Sequence, residues 1–573
     1  MKVVHLCAVL LCLIAGGDAQ QKTAPDTLDR NAFTFLNWNL NLRIEPASES
    51  LFARGKVTLR NDSERPQKHA SLQISSSLRW ASIRLNGAVL PFATEQLRSD
   101  LDHSGKVQEA VLNLPAAVAP GAAIELEVGY SGTVSLDTTR LAQIGVPIEV
   151  RTATDYDRIT PTFTCLRGVG HVLWFPVSLE PALLSDGNKV FQETSAWAVR
   201  HSTSSMTVRM DGNEETSHHW NANAQIVRIE FAGAVSSLDM IWQHLGLAGP
   251  VLIGGQYQEL VATASPAAAA AFKVAFFSEH ANEANDYARV IRETPSMIVG
   301  RSKIPAQLIE LPEAQDSTFE ADTMLLTALK PIDRKSLEVT LAYVLTHQSL
   351  WSPRAWIYAG AAHFAQALMR ERQDGRAAAI AYMEQRLAPL TLEDSGAADL
   401  VKSNSLVNTT SEVFYRTKAM YVWWMLREIV GQRAVLDALQ HYEPDADKEP
   451  SYVQKLLEKN AHQDLEWFFD DWVYQDRGLP EFTISNGYAR PSLQGIYLVS
   501  ATIENQGGAA AEVPIVVHTQ NGDVPSRIRV PAHGKTALRV EVSSRPLDIT
   551  VNDGSVPEVD RTDNTTSVRI GRQ

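Results

Sequence analysis

The stretch Leu341–Gln366 reads LAYVLTHQSLWSPRAWIYAGAAHFAQ, and the interpretation of the whole chain turns on it. It divides into two helical patterns joined by a short turn. Tyr343 and His347 stand four residues apart and so share one helix face. The apolar pattern breaks at Ser352-Pro353, a capping serine with a first-turn proline, which is expected to open the second helix. That helix carries Trp356 to Ala362, and His363 lies one turn beyond Ala359 on the same face.

The stretch resembles the zinc-binding helix pair of the gluzincin metallopeptidases, specifically the membrane alanyl aminopeptidase and leukotriene A hydrolase family. That family reads H-E-x-x-H-Q, then a loop, then W-L-N-E-G-F-A. Gln348 follows His347 as the pattern requires, and Trp356 and Gly360 fall in place. The resemblance puts Tyr343 where the first zinc histidine belongs, Val344 at the general-base glutamate and Ala359 at the glutamate ligand. His347 is the one family metal ligand kept. The connecting loop is also shorter than the family's, and counting out the full family spacing lands on Gln366, again not a carboxylate.

Zinc-assisted peptide hydrolysis needs three protein ligands with one open position, a carboxylate to take the proton from water, and a donor for the oxyanion. Tyr343 and Ala359 fail the first demand and Val344 fails the second. Tyr415 matches the family's oxyanion tyrosine, in Tyr415-Arg416-Thr417-Lys418-Ala419, which is similar to Y-E-K-G-A with one residue inserted. No cofactor is expected. The alternative is zinc held by His347 and His363, with Tyr343 as a phenolate; the preferred reading of both histidines is hydrogen-bonded core. The family also carries Gly-x-Met-Glu-Asn on an edge strand. Here the nearest acidic candidate is Phe319-Glu320-Ala321, read as a solvated turn.

At 573 residues the chain is too long for one core, and its 45% hydrophobic and 21% charged residues argue against wholesale disorder. A formal net charge of -14 argues against nucleic acid or an anionic membrane as partner. MKVVHLCAVLLCLIAGGDAQ reads as a signal peptide cleaved near Ala19, its apolar run being too short for a spanning helix. Cys7 and Cys12 would leave with it. Cys165 then stands alone, which excludes an internal disulfide and suggests a buried, inert thiol. The expected location is periplasmic or extracellular. Asn61, Asn408 and Asn564 each open a glycosylation sequon.

From Asn31 the pattern is β: Leu36, Trp38, Leu40, Leu42 and Ile44 alternate with polar residues. Short strands follow, with Asn86-Gly87 as a hairpin signal. His218-His219 is read as a polar loop. Ser265-Pro266 and the alanines after it predict a helix running to about Arg292. Ile304–Leu311 is strand-like. A helix is expected near Ala377–Arg386, then a loop from Glu393 to Asn408. A capping box, Thr409-Thr410-Ser411-Glu412, opens a helix from Val413 to Val430, in which Trp423 and Trp424 are core. Phe468-Phe469-Asp470-Asp471-Trp472 with Gly478-Leu479-Pro480 is similar to the family's closing F-F-x-x-W and G-x-P. β-structure returns from Glu481, and the acidic ending Pro557 to Asn564 is read as a solvated edge rather than a calcium loop.

The reading is a multidomain α+β protein: signal peptide 1–19, an N-terminal β-saddle or sandwich over 20–262, a degenerate thermolysin-like helical domain over 263–480 and a C-terminal β-sandwich over 481–573. The expected function is a secreted, non-catalytic aminopeptidase homologue that binds a peptide or protein in its cleft. The alternatives are an active zinc aminopeptidase with atypical ligands and an envelope interaction protein working through the last sandwich. No membrane span is expected after signal cleavage.

Overall fold

The computed structural model describes residues 28–211, 219–222, 225–227, 237–242, 244–263, 271–300, 305–396, 405–475, 477–492 and 495–571. The signal peptide, Cys7, Cys12, His218 and Ser265-Pro266 lie outside them.

The N-terminal region is β, as the alternation requires. Phe33–Glu45 pairs antiparallel with Ser50–Asn61 and parallel with Ser205–Asp211 in a seven-stranded sheet. Its even-numbered residues Trp38, Leu40 and Leu42 are fully buried. Asn86 and Gly87 both take positive φ, 52° and 78°, and close a hairpin between Leu78–Leu85 and Ala88–Val89. One helix of this region, α1 (Lys189–Arg200), faces the helical region. Cys165 is buried, and burial pushes its thiol up, away from the reactive thiolate.

A second sheet supports the helices. Its strands lie in the order Gln258–Thr263, Ala271–Phe276, Ala306–Glu310, Met324–Thr327, Phe319–Ala321. The alanine-rich run therefore does not continue as a helix into Phe276. Phe272, Val274 and Phe276 alternate inward, and pairing on both sides overrides alanine's helix preference. The helix, α2, begins only at Ala281 and ends at Glu293. His219 likewise starts a strand, His219–Ala222, instead of lying in a loop. Phe319–Ala321 is an edge strand, not a turn, and it carries Glu320.

Next come α3 (Arg334–Ser349), α4 (Ala355–Asp374), α5 (Arg376–Glu384) and α6 (Leu387–Gly396). Pro353 stands ahead of α4 rather than in its first turn. Arg354 is the N-cap, and the Ser352 hydroxyl accepts from the Arg354 N–H at 3.1 Å. Glu393, the expected start of a loop, lies inside α6, whose Leu390 is fully buried in the core. The expected capping box does not form. Thr409 Oγ1 accepts from Ser411 N–H, two residues on, and Val413–Lys418 winds as a π-helical stretch before α7 (Ala419–Val430). A π-turn is how a helix takes up one extra residue.

The chain ends in two four-stranded sheets whose inward residues Val499, Ile503, Val517 and Ile549 belong to the same buried cluster as the helices. Trp472 joins the two parts, its indole donating to Ala510 O at 2.7 Å. The acidic ending is not a solvated edge at Glu558, which is 1% exposed and accepts from Phe482 N–H, Asn552 Nδ2 and Asn564 Nδ2 at 2.6–2.8 Å. Burial pushes that carboxyl up to about 7. No helix among the described residues is long and apolar enough to cross a membrane.

Candidate functional site

The helix pair α3–α4 assembles the residues singled out in the sequence. Tyr343 and His347 share a face, with ring centroids 4.4 Å apart, and Tyr343 also meets His363 at 5.5 Å. Val344 is fully buried with Tyr343 in the core against the second sheet, and Ala359 is buried among the helices. Trp356 stacks on Trp423 at 5.2 Å. A β-carbon on Gly360 would stand 2.5 Å from the Ala419 Cβ, so the glycine is what lets α4 and α7 close on each other. The two best-kept positions of the motif are packing residues.

His347 is sealed. Its ring lies flat on Tyr358, centroids 3.9 Å apart and planes 7° from parallel. Nδ1 is 3.1 Å from Asp322 O and Nε2 is 3.3 Å from Tyr358 O. A neutral imidazole has one N–H, and the shorter contact takes it. Burial pushes the imidazole down to about 3, so the neutral form is the one present near pH 7. Both nitrogens thus face backbone carbonyls. Asp322, which sequence reasoning missed, is the anchor. It turns the chain between two strands at φ 51°, presents its carbonyl to His347 and accepts the Tyr358 hydroxyl on its carboxylate. Burial pushes its carboxyl up to about 6.

These residues do not fit a catalytic zinc ion. Val344 and Ala359 carry no donor atom, and burial holds the Tyr343 phenol well above its usual range, away from the phenolate. Among the described residues no group of three or more His, Cys, Asp and Glu side chains is disposed to hold a metal. Among the described residues, the donors of such a site are not brought together.

Beside this plug lies an open space. His363, Arg416 and Glu412 line a cavity of about 470 Å³, closed on the far side by α1 with Phe191, Gln192 and Ser195. His363 Nδ1 donates to Gln366 Oε1 at 2.8 Å, and the same oxygen accepts from the Tyr382 hydroxyl at 2.9 Å. Burial, together with Arg416 and Arg386, pushes the His363 imidazole well down, so Nε2 carries a lone pair and has no partner. Arg416 pairs with Glu412 one turn earlier. Tyr415 is buried, and its phenol pairs with the Ser195 hydroxyl of α1. Glu320 is half-buried on the edge strand. Burial raises its carboxyl to about 7, against the opposing pull of Arg416 and Arg386. The two arginines carry no motif signal of their own; they line one cavity only when α6 and the π-turn come together.

No family model matches the chain, and no curated protein matches it. Among solved structures it is similar to an M1 zinc metallopeptidase from Deinococcus radiodurans. A mutant of that protein bound to a Tyr-Ser-Ala substrate gives a TM-score of 0.47 at 16% identity, over 78% of this chain and 94% of the other. The same mutant without substrate gives 0.47 and 16% over 78% and 96%, and the unmutated protein 0.47 and 15% over 78% and 94%.

Proposed function

We propose that this chain is an exported, non-catalytic relative of the zinc aminopeptidases that holds peptides in the cavity between α1 and the π-turn. The observation that carries the reading is the donor set at the helix pair: one sealed imidazole, with tyrosine, valine and alanine at the remaining motif positions. A dication needs several electron-pair donors and a hydrolytic water needs a base, and these side chains supply neither. The motif residues Gln348, Trp356, Gly360, Tyr415 and Phe468 to Trp472 support the kinship. The same reading divides the chain into an N-terminal β-domain, a thermolysin-like domain and a C-terminal β-sandwich, with the first 19 residues a cleaved signal.

Metal analysis of the purified protein, with a panel of aminoacyl-naphthylamides, tests the proposal. The expected result is less than stoichiometric zinc and no metal-dependent cleavage. Stoichiometric zinc that disappears in His347→Ala, or turnover abolished by a chelator, would establish an enzyme instead.

A further inference from the structure

Arg386 donates from Nη1 to the Tyr382 carbonyl at 3.0 Å and lies over the Tyr382 ring at 4.0 Å. It makes no ion pair among the described residues, although it lines the same cavity as Arg416, whose charge Glu412 already meets. A guanidinium has five N–H donors in a fixed fork, shaped for a carboxylate. The rest of the lining suits a peptide. Asn188, Gln192 and Gln385 present side-chain amides, which pair with peptide groups as both donors and acceptors. Phe191, which is 56% exposed, lines the α1 side, and Pro389, Val413 and Met420 supply apolar wall. The volume, about 470 Å³, lies within the ordinary range of small-ligand sites and is modest for a long chain.

We propose that this cavity selects short peptides with a free C-terminal carboxylate, which Arg386 receives. The inference rests on the peptide-binding reading above and deepens it: recognition runs from the carboxyl end. Charge-assisted, forked contacts of this kind are stronger than neutral ones and specific in direction.

Titration calorimetry on the full chain with the dipeptide Ala-Leu and with Ala-Leu amide tests it, for the wild type, Arg386→Gln and Arg386→Lys, with melting temperatures checking that each variant is folded. Ala-Leu is expected to bind at least about tenfold more tightly than its amide. Arg386→Gln should bring the two within about twofold by weakening the acid alone, and Arg386→Lys should keep part of the preference. Equal binding of acid and amide to the wild type overturns carboxylate selection and leaves peptide binding standing. A preference that survives in folded Arg386→Gln overturns the role of Arg386. Binding of neither peptide overturns this inference and the peptide-binding reading together.

Discussion

The same helix pair presents opposite kinds of surface at its two histidines. His347 is closed in: Tyr343 meets the ring edge-on, Tyr358 lies flat on it, and backbone carbonyls stand at both nitrogens. Around His363 the ring is pinned at one nitrogen only, and the space beyond is bounded by charge, amides and a neighbouring helix from another part of the chain. A histidine on a helix face is therefore not a site in itself. What surrounds its second nitrogen decides whether it is structure or surface.

The contrast can be attacked from its sealed side first. Trp356→Ala removes a fully buried indole stacked on Trp423 and is expected to cost about 4 kcal/mol in urea denaturation. A loss of under about 1 kcal/mol would mean that the plug is loosely packed. Val344→Glu buries a carboxylate beside Tyr343 where no partner is arranged. It is expected to cost about 3 kcal/mol, with no rise in melting temperature on adding zinc. A zinc-dependent rise would erase the distinction between the two sides.

Glu320 gives a subtler test through pH. Its folded pKa is about 7 against an ordinary 4.5, so between those values the folded protein keeps a proton that the unfolded chain releases. The stability this contributes is complete below pH 4.5 and is lost as pH rises through about 7. Glu320→Gln keeps the neutral shape without the slope, so it should gain on the wild type across that interval in urea midpoints measured at stepped pH. Asp322 and Glu558, whose carboxyls are also raised, act in both proteins and cancel from the difference. Parallel curves would place Glu320 in solvent. The smallest effect belongs to the open side. His363→Ala gives up one hydrogen bond whose acceptor keeps Tyr382 as partner, and should cost about 1 kcal/mol or less.

Local rules carried much of the fold. Alternation from Leu36 to Ile44, the Asn-Gly hairpin and the aromatic spacing from Phe468 to Trp472 each correspond to what the chain forms, because each depends on neighbours within a few residues. Reading failed where partners are distant. The residues after the alanine run became a strand between two others; Glu320 moved from a turn to a sheet edge; and Glu558 went from solvent to a buried knot tied by Phe482, Asn552 and Asn564.

The identity of the side chains at Tyr343, Val344, His347 and Ala359 was determined by sequence alone, and with it the shortage of metal donors, since no folding supplies a lone pair that a residue lacks. Tertiary structure alone decided that His347 is plugged, that Gly360 is a contact between helices, and that Arg386, Arg416, His363 and α1 enclose a cavity. Those outcomes depend on side chains far apart in sequence meeting at van der Waals distance, which close packing settles and periodicity cannot encode.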